Sequence, residues 1–494
     1  MKTYVCTKCG YTLNREVLEE DFVCPKCGGL KADFNVFEEQ LAENEIDAII
    51  DSVIEDVLDI KNTKIINEDE NEKCLVFDDD NPCVYKLNEK CVNCGQCKKV
   101  CETIANLRYN LSECTKPICI GCGKCVKKCP SRALFFKEDY KEIKKIIDAN
   151  EKIVIAIVEP IVSAYLLRKY DINFDKKVVD LLKRIGFDYV FNNAFARDLT
   201  IVEEVTEFAD RLKSKKALPI ITSSCPSWTK YAEIYHPEIL ENISTCKNPL
   251  VMHSSIIKKY FCDNKGFDSN KIVCVGICSC SSLEMSIKEG NSDLDYVLTI
   301  DELDKLIAEE EIDLNTLEEK EYEETLSSGS GASLLLDFST GQSKAFIRCF
   351  YSLMTKSDLS DDLIVFKDSN ISGVKESNIS INDYKFRVAV VDQIKGLENL
   401  LINNSYKKYH YIEVMACNHG CVNGSQTGSV EEDYTEFYQS HLEELDKNEK
   451  IKCPLDNKEL KTFYSKSVKK PMSQEALKAL HTGLKDKSQL LRNK

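Results

Sequence analysis

Histidine is scarce, with 6 in 494 residues, and there is a single tryptophan. So few imidazoles cannot serve many mixed cysteine–histidine zinc sites. Positive charge is also short: 66 Lys+Arg stand against 82 Asp+Glu, a formal net charge of -16. A general nucleic-acid binder needs a basic face to neutralise phosphate, so no nucleic-acid partner is expected. No apolar run approaches the ~20 residues that span a bilayer, and mean hydropathy is -0.30. The opening residues, MKTYVCTKCG, lack the apolar centre of a secretory leader. These absences predict a cytoplasmic chain with no membrane partner and nothing cleaved from its start. Cysteine is what the sequence has in excess, at 25. Disulfide frameworks belong to secreted, usually small chains. In a large chain without a leader, thiols clustered in C-x-x-C runs read as reduced thiolates holding metal.

At roughly 150 residues per domain, the length allows about three domains. Residues 1–38 hold Cys6, Cys9, Cys24 and Cys27 as two knuckles, each pair followed by glycine. Such a piece is too small to fold on an apolar core alone, so a bound metal would supply much of its folding free energy. Iron and zinc both accept tetrahedral thiolate, and both stay open here. Residues 39–72 carry 12 acids against 2 lysines, and Ile46, Ile49, Ile50, Val53, Ile54, Val57 and Leu58 recur at helical spacing. An acidic amphipathic linker helix is expected there. Residues 73–145 hold the densest cysteine cluster. Residues 146–430 read as α/β, in two lobes built of parallel sheets flanked by helices. Apolar runs at 153–158, 272–275 and 388–391 predict buried strands, and 178–185 and 203–212 predict amphipathic helices. Residues 327–333, SSGSGAS, form a glycine-rich turn. The tail, 431–494, ends in a basic stretch: 461–494 has 9 Lys/Arg against 2 acids and reads as a solvated terminal helix.

The strongest local signal is Cys91-x-x-Cys94-x-x-Cys97-x-x-x-Cys101 followed by Cys119-x-x-Cys122-x-x-Cys125-x-x-x-Cys129-Pro130. Three thiolates at this spacing wrap one 4Fe-4S cube, and the fourth of each run is directed to the other cube. Cys91, Cys94, Cys97 and Cys129 are therefore expected on one cluster, and Cys119, Cys122, Cys125 and Cys101 on a second. This is an α+β two-cluster ferredoxin unit.

Two resemblances follow. YVCTKCGY…FVCPKCGGLKADF is similar to rubredoxin, with a shortened interval between its cysteine pairs. Further on stand TSSCPSW at 222–228, GICSCSSLE at 276–284 and EVMACNHGCVNG at 413–424. In that order they resemble the three active-site signatures of the iron-only (FeFe) hydrogenase family. The segment LKRIGFDYVFNNAFARDLTIVEEVTEF and the tail FYSKSVKKPMSQEALKALHTG resemble the same family, the latter its small subunit. The resemblance implies that Cys225, Cys278, Cys417 and Cys421 hold a third 4Fe-4S cube. It also implies an attached diiron unit carrying CO, cyanide and azadithiolate, the two together forming the H-cluster. It implies a proton relay through Ser224, Glu204, Glu207, Ser244 and Arg211, with Ser281, Glu284 and Met415 in the second and third signatures. Hydrogen, protons, a redox partner such as ferredoxin, the hydrogenase maturases and a signalling partner are the implied partners.

The departures from the family pattern are as informative as the matches. A thiol normally precedes the first ligand as proton relay, and here Ser224 stands there. A hydroxyl is a far weaker acid than a thiol, whose unperturbed pKa is about 8.5, so proton delivery is expected to slow. Ser281 replaces a lysine that contacts a cyanide ligand, removing a charge-assisted hydrogen bond. The combination resembles the divergent, sensory-type branch of the family. Three functions remain open: a slow hydrogenase, a hydrogen or redox sensor, and a non-catalytic electron-transfer or iron-sulfur assembly protein that lacks the diiron unit. The remaining thiols are expected as small buried apolar residues; for Cys280, two residues from Cys278, a substitute polar contact is the alternative to packing.

Overall fold

A computed structural model describes residues 2–6, 8, 12–15, 18–19, 21–38, 74–77, 79–107, 118–214, 216–290, 292–381, 384–427 and 433–491. The chain divides into two compact units, Met1–Asn71 and Glu72–Lys494. In the first, β1 (Lys2–Cys6) pairs antiparallel with β2 (Thr12–Arg15) and with β3 (Phe34–Glu38). The second knuckle turns tightly: Cys24 N donates to Gly29 O at 2.7 Å, and Gly28 N to Cys24 O at 2.9 Å. Gly28 sits at φ +72, where a side chain would be strained. The side chain of Cys6, and Cys9 and the expected linker helix at 39–72, lie outside the described residues.

The second unit opens with β4 (Val84–Lys86) antiparallel to β5 (Leu134–Phe136), flanking the two cysteine runs. Two sheets follow. In the first, β6 (Ile153–Val158), β7 (Tyr189–Asn192), β9 (Ile272–Cys278) and β10 (Tyr296–Thr299) lie in the order β10-β9-β6-β7, all parallel. Strand β9 is buried at every position, as expected of IVCVGIC between two helical layers. The second sheet corrects the expectation of parallel sheets throughout. Its order is β11-β12-β13-β14-β8, from Lys367–Asp368, Val374–Ile381, Tyr384–Asp392, Tyr411–Met415 and Ile220–Ile221. Strands β13, β14 and β8 run parallel, while β11 and β12 are antiparallel. The reason is legible in β12: VKESNISI alternates polar and apolar residues and leaves one face half-exposed, the pattern of an antiparallel outer strand.

The basic tail is not a solvated helix. Helices Lys458–Phe463 and Gln474–Leu480 bury Leu460, Phe463, Ala476, Ala479 and Leu480 in the main apolar core, and the lysines take the outer face. Among the described residues no helix is long and apolar enough to cross a membrane.

Candidate metal centre

Cys91, Cys94, Cys97 and Cys129 line one enclosed space, and Cys74 joins them. Backbone amides are aimed at the sulfurs: Gly95 N donates to Cys74 Sγ, Leu75 N to Cys97 Sγ and Ala133 N to Cys129 Sγ, each at 3.2 Å. Cys125 is pushed well above the usual thiol range by burial and by the neighbouring thiols Cys122, Cys119 and Cys101, with Cys83 close by. Each run thus lends its fourth cysteine to the space of the other.

A further thiol-lined space, about 800 Å³ counting its open mouth, lies at the carboxyl ends of the parallel strands, the edge where open α/β sheets build their sites. Ser224 and Cys225 follow β8, Cys278 ends β9, and Met415 ends β14, with Cys417 and Cys421 in the loop after it. All of these residues line the cavity, as do Cys280 and the ferredoxin-run residues Gly121 and Cys122. Four thiols called from distant segments therefore meet in one place. Burial, and next the neighbouring Cys417, push Cys225 up to about 11. Gly420 lets the Cys417–Cys421 loop press inward: its φ is +87, and a Cβ there would lie 2.8 Å from Phe338 Cα and Ser339 N.

None of these cysteine sets suits a single ion. A tetrahedral metal with sulfur at about 2.3 Å draws its sulfurs to within about 4 Å of each other. Among the described residues, the one group of three donor atoms within 4.8 Å is Glu207, Cys246 and His481. In that group the carboxylate and the imidazole already have protein partners. Thiols that share a cavity but stand further apart fit a polynuclear cluster.

Of the residues expected in a relay, Glu204, Glu207 and Arg211 fall on helix Ala194–Ser214, which faces the core with its acids: Glu203, Glu204 and Glu207 are all buried. Gln342, from helix Gly341–Thr355, donates through Nε2 to Ser224 Oγ at 3.1 Å and to Glu204 Oε2 at 3.0 Å. Tyr411 Oη donates to the same Glu204 oxygen at 3.1 Å. Ser244, beside Glu204, donates to Glu207 Oε2 at 3.1 Å, and Arg211 pairs with Glu207 Oε1 at 2.6 Å. The line of groups is thus Ser224, Gln342, Glu204, Ser244, Glu207, Arg211. Burial lifts the Glu204 carboxyl to about 8, so it keeps its proton at neutral pH.

Two of the expected residues are engaged with other partners, although Ser281 lines the cavity. Ser281 Oγ donates to Gly121 O at 2.8 Å and meets Ser425 Oγ at 2.7 Å, so its hydroxyl is committed to the ferredoxin run. Glu284 is buried beside Lys288, 2.7 Å away, and does not line the cavity.

Sequence reasoning missed Gln342 and a buried triad on the cavity wall. Arg197 pairs with Glu159 at 2.5 Å and with Asp337 at 2.7 Å, all three nearly without solvent exposure. Arg197 Nε and Asp337 Oδ2 have no hydrogen-bond partner, an arrangement that leaves polar atoms for a bound group. No motif marks these residues; they come from three separate segments.

The family model for the C-terminal domain of the iron-only hydrogenase large subunit matches residues 152–425. The iron hydrogenase small-subunit model matches 433–487, and a 4Fe-4S binding domain model matches 118–135. Iron hydrogenase 1 of Clostridium pasteurianum is 33% identical over 310 residues, 60% of this chain and 53% of that protein. The chain thus spans about half the length of that curated relative. The cytosolic Fe-S cluster assembly factor narfl of Danio rerio is 28% identical over 362 residues, 69% of this chain and 88% of that protein. The structure of a variant of apo [FeFe]-hydrogenase HydA1 from Chlamydomonas reinhardtii superposes with a TM-score of 0.63 at 25% identity, covering 71% of this chain and 99% of that one.

Proposed function

The chain belongs to the iron-only hydrogenase family, and we propose that it is an iron-sulfur oxidoreductase that interconverts dihydrogen with two protons and two electrons, at low turnover. One observation carries this reading: Cys225, Cys417, Cys421 and the Cys278–Cys280 turn converge with Met415 and Ser224 on one cavity that Cys122 also lines. In this proposal Cys225, Cys417, Cys421 and a thiolate of that turn hold a 4Fe-4S cube with the diiron unit beside it. When bound, that group supplies the iron at which dihydrogen is cleaved. The two thiolate sets of the ferredoxin run hold the cubes that carry electrons, and Cys122 brings the second set against the cavity. A ferredoxin-like partner would exchange electrons there, after hydrogenase maturases load the site. The four-cysteine unit at the start of the chain would hold one iron or zinc.

The protein's own contribution is enclosure and proton handling. Leu250, Leu283 and Leu336 keep water from the cavity wall. Glu204 stores a proton, and Ser244 joins it to the Glu207–Arg211 pair. Gln342 donates to Ser224 Oγ, which leaves the Ser224 hydroxyl hydrogen free to turn into the cavity. An amide neither releases nor accepts a proton readily, so this line conducts poorly, in keeping with a sensor of hydrogen that signals through a partner.

The commitment of the Ser281 hydroxyl to Gly121 and Ser425 favours a second reading, in which the cube is present without the diiron unit and the protein serves electron transfer or cluster assembly. Infrared spectra of the anaerobically matured chain separate the two. Carbonyl and cyanide bands with measurable H/D exchange support the hydrogenase; no bands and no exchange reject it.

A further inference from the structure

Besides Cys122 of the ferredoxin run, five thiols, not four, line the large cavity, because Cys278 and Cys280 both face it. They differ in setting. Cys278 ends strand β9 in register with Thr299 and is almost fully buried. After burial, Cys280 weighs most on it and gives it one backbone N–H; Glu159 and Asp337, on the triad side, follow. Cys280 retains partial exposure, as do Cys225, Cys417 and Cys421.

The local backbone repeats at two of these positions. Cys225 caps helix Pro226–Tyr235 with φ -92 and ψ 108, and Cys280 caps helix Ser281–Glu289 with φ -116 and ψ 102. Each sulfur receives the amide N–H groups two and three residues onward: Ser227 and Trp228 for Cys225, Ser282 and Leu283 for Cys280. Two N–H groups at a helix start are the setting that holds a thiolate. The thiols nearest in effect to Cys280 are Cys225 and Cys417, and those nearest to Cys421 are Cys280, Cys417 and Cys225.

We propose that Cys280, rather than Cys278, is the fourth thiolate alongside Cys225, Cys417 and Cys421 for an iron-sulfur cube, and that Cys278 is a non-ligating thiol facing Glu159 and Asp337. The inference rests on reading the cavity as a cluster site. It moves the ligand two residues from the position the signature implies, and it explains why a second cysteine stands in GICSCSSLE.

The test is iron and acid-labile sulfide per chain, with the electron paramagnetic resonance spectrum of the dithionite-reduced form, on the full chain reconstituted anaerobically with ferrous iron and sulfide. Cys278→Ala should keep the wild-type content and spectrum. Cys280→Ala should lose about four irons and four sulfides, one cube. Cys280→Asp, which offers an oxygen ligand in the same place, should keep the cube with shifted g values and so separates ligation from misfolding. Any other pattern in the two alanine variants overturns the assignment, including loss in both or retention in both. A wild-type chain that reconstitutes only the ferredoxin-run cubes would instead overturn the cluster-site reading itself.

Discussion

Replacing Gln342 with glutamate should open the proton line. One amide nitrogen now serves both Ser224 Oγ at 3.1 Å and Glu204 Oε2 at 3.0 Å. The carboxyl analogue has the same shape and the same two neighbours, but it can take a proton on one oxygen and release it from the other. Glu204, already lifted to about 8 by burial, would share its proton with the new carboxyl, because two buried carboxylates in contact do not both ionise. General acid–base participation is worth about 10² to 10⁴ in rate, or up to about 5 kcal/mol of barrier. We expect H/D exchange in Gln342→Glu to rise at least about ten-fold, within that ceiling. The added buried acid should cost about 1–3 kcal/mol of stability. Exchange must be compared at equal site loading, judged by the infrared bands. If Gln342→Glu leaves exchange unchanged at equal loading while Ser224→Cys raises it, the amide is not the break and the reasoning fails.

Ser224→Cys should itself raise exchange at least about ten-fold, since a thiol near pKa 8.5 is a far better proton donor than a hydroxyl; equal rates in the two proteins would defeat the low-turnover reading. Arg197→Met should lower the unfolding free energy in urea by about 3–5 kcal/mol, because it strands Glu159 and Asp337 as buried unpaired acids. Adding Glu159→Gln and Asp337→Asn should restore most of that loss, and an unrelieved loss would show that the ion pairs are not its source. Stability should fall as pH rises from about 4.5 to about 8. Glu204, Glu284 and Glu159 have folded values of about 8, about 8 and about 7 against 4.5. In that window the folded state keeps protons that the unfolded state has released, so each group contributes a slope of about -1.4 kcal/mol per pH unit. Glu204→Gln should flatten the dependence, and an unchanged slope would contradict it. Gly420→Ala should reduce the iron bound in the large cavity, since its Cβ would meet the backbone of Phe338 and Ser339; full iron content would refute the tight-turn argument.

How much of this was readable beforehand depended on whether chemistry or packing sets the residue. The ferredoxin-run thiols were legible because a cube imposes C-x-x-C spacing on a short segment, and Cys129 reaches the space of Cys91, Cys94 and Cys97 as that spacing implies. Strand β6 was legible because both of its faces are buried. Strands β11 and β12 were not assigned: β11 is only two exposed residues, and the alternation in β12 lacks the long apolar run that marked the other strands. Helix Ala194–Ser214 was foreseen only from 203, because its first turns are buried on every side and carry no amphipathic contrast. Glu203, Glu204 and Glu207 look like a surface face in sequence. They are buried because Tyr464, His481 and Tyr411 arrive from elsewhere, and Arg211 from the next turn of the same helix, to satisfy them. Gln342 and the Glu159–Arg197–Asp337 triad depend wholly on such long-range convergence, which no local pattern records.

The distribution of thiols also dictates how the two sheets stay together. Cys225, Cys417 and Cys421 follow strands β8 and β14 of the mixed sheet, whereas Cys278 and Cys280 follow β9 of the parallel sheet. Without a cluster these thiols are buried at one another's expense: Cys278 and Cys421 are held well above the usual thiol range by burial and neighbouring negative groups. Arg197, the cation on that wall, is already matched by Glu159 and Asp337. Protons therefore hold the thiols neutral until iron replaces them, so loading releases protons and should tighten as pH rises. A cube bound there is a cross-link between sheets whose strands lie far apart in the chain, and it constrains the unfolded ensemble as any long-loop closure does. Loss of the cube should then loosen the junction between the two sheets more than either sheet alone, and hydrogen exchange at the ends of β9 and β14 should rise before exchange at their centres.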